Sequence, residues 1–502
     1  MQFFAKSILL DQYGRATNFR LHSLGYPHMR ALHLGWISFM VAVLAWYSIP
    51  PIMPHIAAAL KISAADVNNS NVVAVSATIL ARIVTGPLCE RFGPRRVMAG
   101  LLFAGSIPCA MTGLLKNASG LFGLRFAIGI LGATFIPSQF WATQMFAPSV
   151  IGTASAFTGG WGDMGGGVTY LIMPAIHDGL RRYLPESKAW RVVFVIPAGI
   201  CILAALTVLL SGADTPQGDW FQRPTQKDTS IEKDTNATST ITEKDTSIAK
   251  DTNPTSIITE KDISAAEDGV AGFQNDDDDD DETIAEVKRD EPPLVALASW
   301  FKVLVKLPVL IIVCIYGCSF GAELAINNII GEIFQVKFGL DASKAAYIGS
   351  IFGLLNICSR LSGGLFSDFM AHRLHMPGRI LAVLSAMTLQ GAFLIGFSFG
   401  LVTLSTSIIL MVFFSFFVQH ICGSTFAIVP FIDPVNNGKV MGIVGASGSL
   451  GGLIFNLMFR ELGAQYDRAF LYLGCISLGA AIIGCSLLRV QNKTIWHLFH
   501  NP

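Results

Sequence analysis

Hydrophobic positions in this chain come in long blocks rather than in the one-sided stripes of surface helices. Twelve blocks reach the roughly 20 mostly apolar residues that an α-helix needs to cross a bilayer. They fall at 33–56, 68–89, 94–115, 119–143, 150–175, 191–212, 303–335, 343–368, 379–399, 402–427, 439–459 and 469–489. The seventh is long, and is expected to tilt or to project from the membrane. Six blocks precede a hydrophilic stretch and six follow it, the layout expected of a two-half secondary transporter. The pattern predicts an all-α membrane protein with twelve transmembrane helices in two pseudo-symmetric six-helix halves, 33–212 and 303–489, flanked by tails 1–32 and 490–502.

The stretch between the halves, 213–302, is of another kind. KDTSIEKDTNATSTITE (227–243) is followed by KDTSIAKDTNPTSIITE (244–260), a tandem duplication with a period of 17 that matches no solenoid repeat. The acidic run Asp276–Asp281 comes after it. So few large apolar residues cannot offset the entropy of ordering, which predicts a disordered acidic loop, cytoplasmic together with both tails. A kinase acting on its many Ser and Thr residues is one regulatory partner this leaves open; a tolerated expansion is the plainer reading.

Composition sharpens the membrane assignment. Only 14% of the 502 residues are charged and 52% are hydrophobic, whereas soluble proteins carry about 25% charged residues. The 35 basic and 35 acidic side chains cancel, but unevenly. Residues 213–299 hold 22 acidic and 8 basic side chains, leaving 13 acidic and 27 basic for the rest. No basic stripe suggests nucleic-acid binding. The nine cysteines form no CxxC or Cys/His set and read as small apolar residues of membrane helices. Lys6, Arg15, Arg20 and Arg30 precede the first block without an h-region, so that block is expected to act as the insertion signal. With the N-terminus inside, Arg91, Arg95, Arg96, Arg373, Arg379, Lys439, Arg489 and Lys493 face the cytoplasm against Arg181, Arg182, Lys188 and Arg191 outside, a modest positive-inside bias.

The chemistry lies in a pattern shared by the halves. The second block reads Arg82-x3-Gly86-x3-Glu90 and the eighth reads Arg360-x3-Gly364-x3-Asp368, as an internal repeat predicts. An Arg inside a membrane span is costly and usually lines a cavity or pairs with another group. The carboxylates eight residues on are about 12 Å away by helix rise, too far to be the main partners. Each half thus presents one cation to the centre, and two planar guanidiniums suit a planar oxyanion. The alternative is a pair of structural arginines capped by carbonyls.

Two glycine-rich segments accompany them. The fifth block contains Gly159, Gly160, Gly162, Asp163, Gly165 and Gly166; the eleventh contains Gly445, Gly448, Ser449, Gly451 and Gly452. Small residues at this density let helices approach closely, either for packing alone or to thin the walls of a central path.

The segment GPLCERFGPRR, with Gly86, Glu90, Arg91, Gly93 and Arg95, resembles the loop 2–3 gating motif of the major facilitator superfamily, with Glu90 where Asp is usual. Arg125-x3-Gly129 resembles that superfamily's fourth-helix motif. AFTGGWGDMGGG (156–167), YGCSFGAEL (316–324), FSFFVQHICGSTFAIVPF (414–431) and GIVGASGSLGG (442–452) narrow the likeness. Over roughly 33–490, insert excluded, the chain resembles the nitrate/nitrite porter family, within it the eukaryotic high-affinity nitrate transporters. The resemblance implies that Arg82 and Arg360 bind nitrate, that Phe135, Tyr316 and Phe320 sandwich it, with Tyr47 a looser match, and that Asp163 and Ser449 stand beside it. Both of these depart from the family, where Asn is usual in helix 5 and, in plant and fungal members, in helix 11.

The implied activity is proton-coupled import of nitrate by alternating access, with nitrite a further substrate, in a plasma-membrane protein serving nitrate assimilation. Asp163 and Glu323 are the proton-coupling candidates, with His420 a weaker one. A carboxylate at 163 repels an anion unless it is protonated. Ionised, it is expected to pair with Arg82; the alternative is that it faces away. No cofactor, metal set or catalytic constellation is visible, so an enzyme is not expected. The rival readings are another small oxyanion as substrate, and a nitrate sensor signalling through the loop. An accessory membrane protein is a further partner left open.

Overall fold

The computed structural model describes residues 3–222, 293–340 and 342–500. The duplication and the run Asp276–Asp281 lie outside the described residues. The first half comprises α1 (His28–Trp46), α2 (Met53–Leu60), α3 (Ala64–Phe92), α4 (Pro94–Met111), α5 (Ala118–Ile128), α6 (Phe135–Met145), α7 (Ile151–Arg181), α8 (Glu186–Val192) and α9 (Val195–Ser211). The second comprises α10 (Pro293–Leu304), α11 (Leu307–Phe338), α12 (Ala342–Leu354), α13 (Asn356–Gly400), α14 (Leu404–Ile428), α15 (Asn437–Leu462), α16 (Tyr466–Leu487) and α17 (His497–His500). Among the described residues the only β pairings are isolated bridges.

Local chemistry accounts for the breaks. Ser63 caps α3, its Oγ accepting from the Asp66 N–H at 3.1 Å. Gly93 closes α3 and opens α4 with φ 83°, a conformation that favours glycine, and Pro94 follows where its missing N–H costs nothing. The seventh apolar block is one long helix, α11, whose start is set by Lys306 in extended geometry (ψ 126°) and by Pro308 in its first turn; only residues 303–304 of the block belong to α10. A 3-10 stretch, Gly129–Thr134, joins α5 to α6 and turns the Gly129 and Gly132 carbonyls toward α3, where Thr78 Oγ1 and Arg82 Nε donate to them at 2.7 and 2.9 Å.

Ten helical stretches among the described residues are long and apolar enough to cross a membrane. Two features separate this from the twelve predicted. The 31-residue α7 is not one of the ten, because its glycines and Asp163 dilute its hydropathy. Tyr347–Gly400 passes as one stretch although His375 (φ 54°, ψ −143°) breaks helical geometry within it.

The first half buries a cluster with Trp46, Leu102, Leu131, Trp141 and Trp190, and a second cluster built on Ile315, Phe334, Phe397, Phe414 and Phe470 of the second half reaches across to Phe39, Phe135 and Ile136 of the first. The halves meet along two helix pairs, α3 on α15 and α7 on α13. Glycine makes this possible. A methyl on Gly86 would overlap the Gly438 carbonyl, and one on Gly364 the Gly152 carbonyl.

Residues 213–220, assigned to the disordered loop by composition, are packed against the first half. The Trp141 indole N–H donates to the Ala213 carbonyl at 2.7 Å, and the Trp220 indole N–H to the Glu90 carbonyl at 3.1 Å. Asp214 and Asp219 both engage Arg95. Burial raises the Asp214 carboxyl above the usual range, against the opposing pull of Arg95.

Candidate functional site

At one end of the α3/α15 and α7/α13 pairs, two carboxylates hold helix N-termini of the opposite half. Glu90, at the end of α3, accepts the Lys439 N–H in the first turn of α15 at 3.0 Å. Asp368 of α13 accepts the Gly152 and Thr153 N–H groups in the first turn of α7 at 3.1 and 2.7 Å, and the Thr153 hydroxyl at 2.7 Å. Orphan helix N–H groups and the helix dipole both favour a carboxylate there. Arg379, counted in the sequence among loop charges, is buried and pairs with Asp368 at 2.8 Å. Arg95 is tied to the Gly212 carbonyl at 3.0 Å as well as to the two aspartates, while Arg91 is exposed beside the Phe92 ring.

The interior lies farther along the same helices. Arg82 and Arg360 are both buried. Arg82 donates to the Gly132 and Gly445 carbonyls at 2.9 and 2.8 Å and has no carboxylate on it among the described residues. Its guanidinium carbon is 5.3 Å from the Phe135 ring centre and 5.0 Å from that of Phe320. The Arg360 carbon is 5.6 Å from the same Phe320 centre, so the two cations share one ring. Phe135, Tyr316, Phe320 and Phe426 build the wall: Tyr316 stacks on Phe320 at 5.4 Å, and Phe426 meets Phe135 and Tyr316 edge-on at 4.7 and 5.0 Å. The hydroxyls of Tyr316 and Ser449 and Nε of Arg360 are buried without a hydrogen-bond partner among the described residues.

Arg360 differs from Arg82 in being doubly paired. Its Nη1 bonds Asp163 and its Nη2 bonds Glu323 at 2.7 Å. Glu323 also accepts from Asn356 Nδ2 at 2.6 Å and from the Cys422 thiol at 3.5 Å. This corrects the expected pairing of Asp163 with Arg82. The carboxylate faces the centre, but α7 packs across the interface on α13 and so delivers Asp163 to the other half's arginine. Two arginines, Arg82 and Arg360, and two carboxylates, Asp163 and Glu323, make this central cluster formally neutral.

The glycines let this assembly close. A methyl on Gly159 would lie 3.3 Å from Arg360 Cδ, one on Gly160 2.7 Å from the Asn356 carbonyl, and one on Gly448 2.7 Å from both Phe320 and Tyr316. Gly162 abuts Phe39, Gly165 the Met40 carbonyl, Gly445 the Ile136 side chain, Gly451 the Gly317 carbonyl and Gly452 Leu324. Gly166 has its nearest atom at 3.9 Å, ordinary contact. His420 is bound to Ser362 at 2.8 Å among Phe366, Phe416 and Phe417, none of which belongs to the central wall. Tyr47 is half-buried at the far end, beside Arg125. Sequence reasoning did not single out Asn356, Cys422 or Phe426. Asn356 was within reach, since it stands one helical turn before Arg360 on the same face.

A family model described as Major Facilitator Superfamily matches residues 35–456. The "High affinity nitrate transporter 2.5" of Arabidopsis thaliana is 34% identical over 95% of this chain and 82% of its own length. The "Nitrate/nitrite transporter NrtP" of a Picosynechococcus strain is 27% identical over 85% and 84%. Among solved structures the proton:xylose symporter XylE superposes with a TM-score of 0.62 over 94% of this chain and 99% of its own, at 14% identity, a likeness of fold alone. The chain belongs to the major facilitator superfamily and, within it, to the nitrate/nitrite porter family. It is a multi-pass membrane protein.

Proposed function

We propose that the chain imports nitrate across the plasma membrane, and nitrite with it, by alternating access coupled to protons. Nitrate bonds Arg82 and Arg360 between the aromatic faces of Phe135, Tyr316 and Phe320, and the unpartnered hydroxyls of Tyr316 and Ser449 donate to it. The observation that carries the reading is the pairing of two buried guanidiniums across Phe320, only one of them neutralised by carboxylates.

Charge balance supplies the coupling. The central cluster is formally neutral without substrate, and adding one anion to a water-poor site leaves a net charge that is expensive to bury. A proton arriving with nitrate restores neutrality and frees one hydrogen-bonding edge of Arg360. Asp163 is the acceptor: its side chain is 13% exposed against 3% for Glu323, so water-borne protons reach it first. Glu323, with three donors on it, holds Arg360 in place.

The helix pairs α3/α15 and α7/α13, close-packed through glycine, serve as the surfaces on which the halves rock. Glu90 and Asp368 clamp the cytoplasmic end in the conformation seen. The crossings number twelve when α7 is counted and Tyr347–Gly400 is divided at His375, with the acidic stretch 223–292 as the cytoplasmic connection. Uptake of isotope-labelled nitrate in oocytes, with nitrite as competitor at two pH values, tests the proposal. Saturable uptake that rises at the lower pH supports it; absence of nitrate uptake overturns it.

A further inference from the structure

Another buried arginine lies away from the two that face the centre and from the Arg379–Asp368 pair. Arg125 is 6% exposed. Its Nη2 bonds the Asn71 side-chain oxygen, its Nε has no partner, and no carboxylate pairs with it among the described residues. It lines a cavity of about 30 Å³ with Trp46, Tyr47, Asn71, Leu324 and Asn328. Asn328 is exposed, so this cavity sits at the mouth of the bundle. Asn71 precedes Arg82 by eleven residues of α3, about 16 Å by helix rise, in the direction away from Glu90. The cavity therefore lies at the end opposite the clamps. Tyr47 and Leu324 connect it inward: Tyr47 lies within electrostatic reach of Asp163, Glu323 and Arg82, and Leu324 adjoins Glu323.

An unpaired guanidinium held out of water is costly unless something uses it. A packing role would leave it sealed among carbonyls, as Arg82 is. Instead it faces a small cavity that it shares with the side chains of Asn71, Asn328 and Tyr47, large enough by volume for about one or two waters or a small ion. We propose that Arg125, with the side chain of Asn71, forms a second anion site, a staging position where a small monovalent oxyanion is held before it moves past Tyr47 to Arg82 and Arg360. This rests on the nitrate reading above and adds to it a separate residue that sets how readily substrate is captured. Arg125 lies outside the central site, so its removal slows capture and leaves turnover at saturation intact.

The test is the concentration dependence of labelled nitrate uptake, corrected for surface protein, in the full chain and three variants. Arg125→Gln raises the apparent KM by about tenfold, at the lower end of what charge focusing does for association, with maximal rate within about twofold. Arg125→Lys, which keeps charge without the fork, returns KM to within about threefold of the unmodified protein. Asn71→Asp, which keeps the arginine but neutralises it, raises KM as Arg125→Gln does, and remains informative where that variant fails to fold. A structural arginine gives the opposite split, with maximal rate or surface protein lost, KM unchanged and no rescue by lysine; that result overturns the inference alone. Absence of nitrate uptake by the unmodified chain overturns the reading beneath it and the inference together.

Discussion

Replacing Asp163 by Asn separates proton coupling from substrate binding. In the structure Asp163 occupies one edge of the Arg360 guanidinium and Glu323 the other. Nitrate must displace the carboxylate or wait until it is protonated. A hydrogen bond to a charged group contributes about 1.5–3 kcal/mol, so removing this competitor strengthens nitrate binding by about 10- to 100-fold where Asp163 is ionised. The sign of the pH effect follows: protonation removes the negative charge that competes with nitrate, so affinity in the unmodified protein rises as pH falls. One linked proton makes it rise by up to about tenfold per pH unit. The amide introduced by Asp163→Asn keeps an oxygen for Arg360 and cannot titrate, so the variant binds tightly at every pH with a flattened profile. Arg360 keeps Glu323, so no buried cation is left unpaired. The assay is apparent nitrate affinity in oocytes from about pH 5 to about pH 8 for both proteins, a range that brackets ordinary proton-switch chemistry. Parallel profiles would refute the reasoning.

Arg82→Lys and Arg360→Lys each lower nitrate uptake at least about tenfold while the protein still inserts, because lysine loses the planar fork; normal uptake in both removes the two-arginine site. Gly86→Val and Gly364→Val drive a side chain into an opposing carbonyl and cost about 1–3 kcal/mol each, read as a lower melting temperature in detergent, whereas Gly166→Ala, with its nearest neighbour at 3.9 Å, leaves it unchanged. Deleting 244–260, one copy of the duplication, leaves folding and uptake intact; a retained, unfolded product would show that this segment packs on the membrane domain.

The sequence exposed the central arginines because each interrupts an apolar block at the same place in the two halves. What it could not expose was their pairing. Asp163 is 197 residues from Arg360 and Glu323 is 37 residues from it. Hydropathy and motif spacing are blind to α7 crossing to α13, so a carboxylate in the first half was assigned to the arginine of its own half. The same limit hid the edge of the loop. Residues 213–220 look polar enough to be disordered, yet Arg95 supplies charges that Asp214 and Asp219 answer, and Trp141 and Trp220 anchor the backbone. The start of α11 was legible in principle, since Pro308 near the head of the long seventh block suits a first helical turn.

The most direct test of the central claim is proton movement driven by nitrate in proteoliposomes holding the purified protein and a pH dye. A nitrate gradient imposed without a starting pH gradient should carry protons in the same direction as nitrate, with Asp163→Asn weakening the proton signal relative to nitrate flux and Arg360→Lys abolishing both. Nitrate flux with no accompanying proton movement in the unmodified protein would contradict the account.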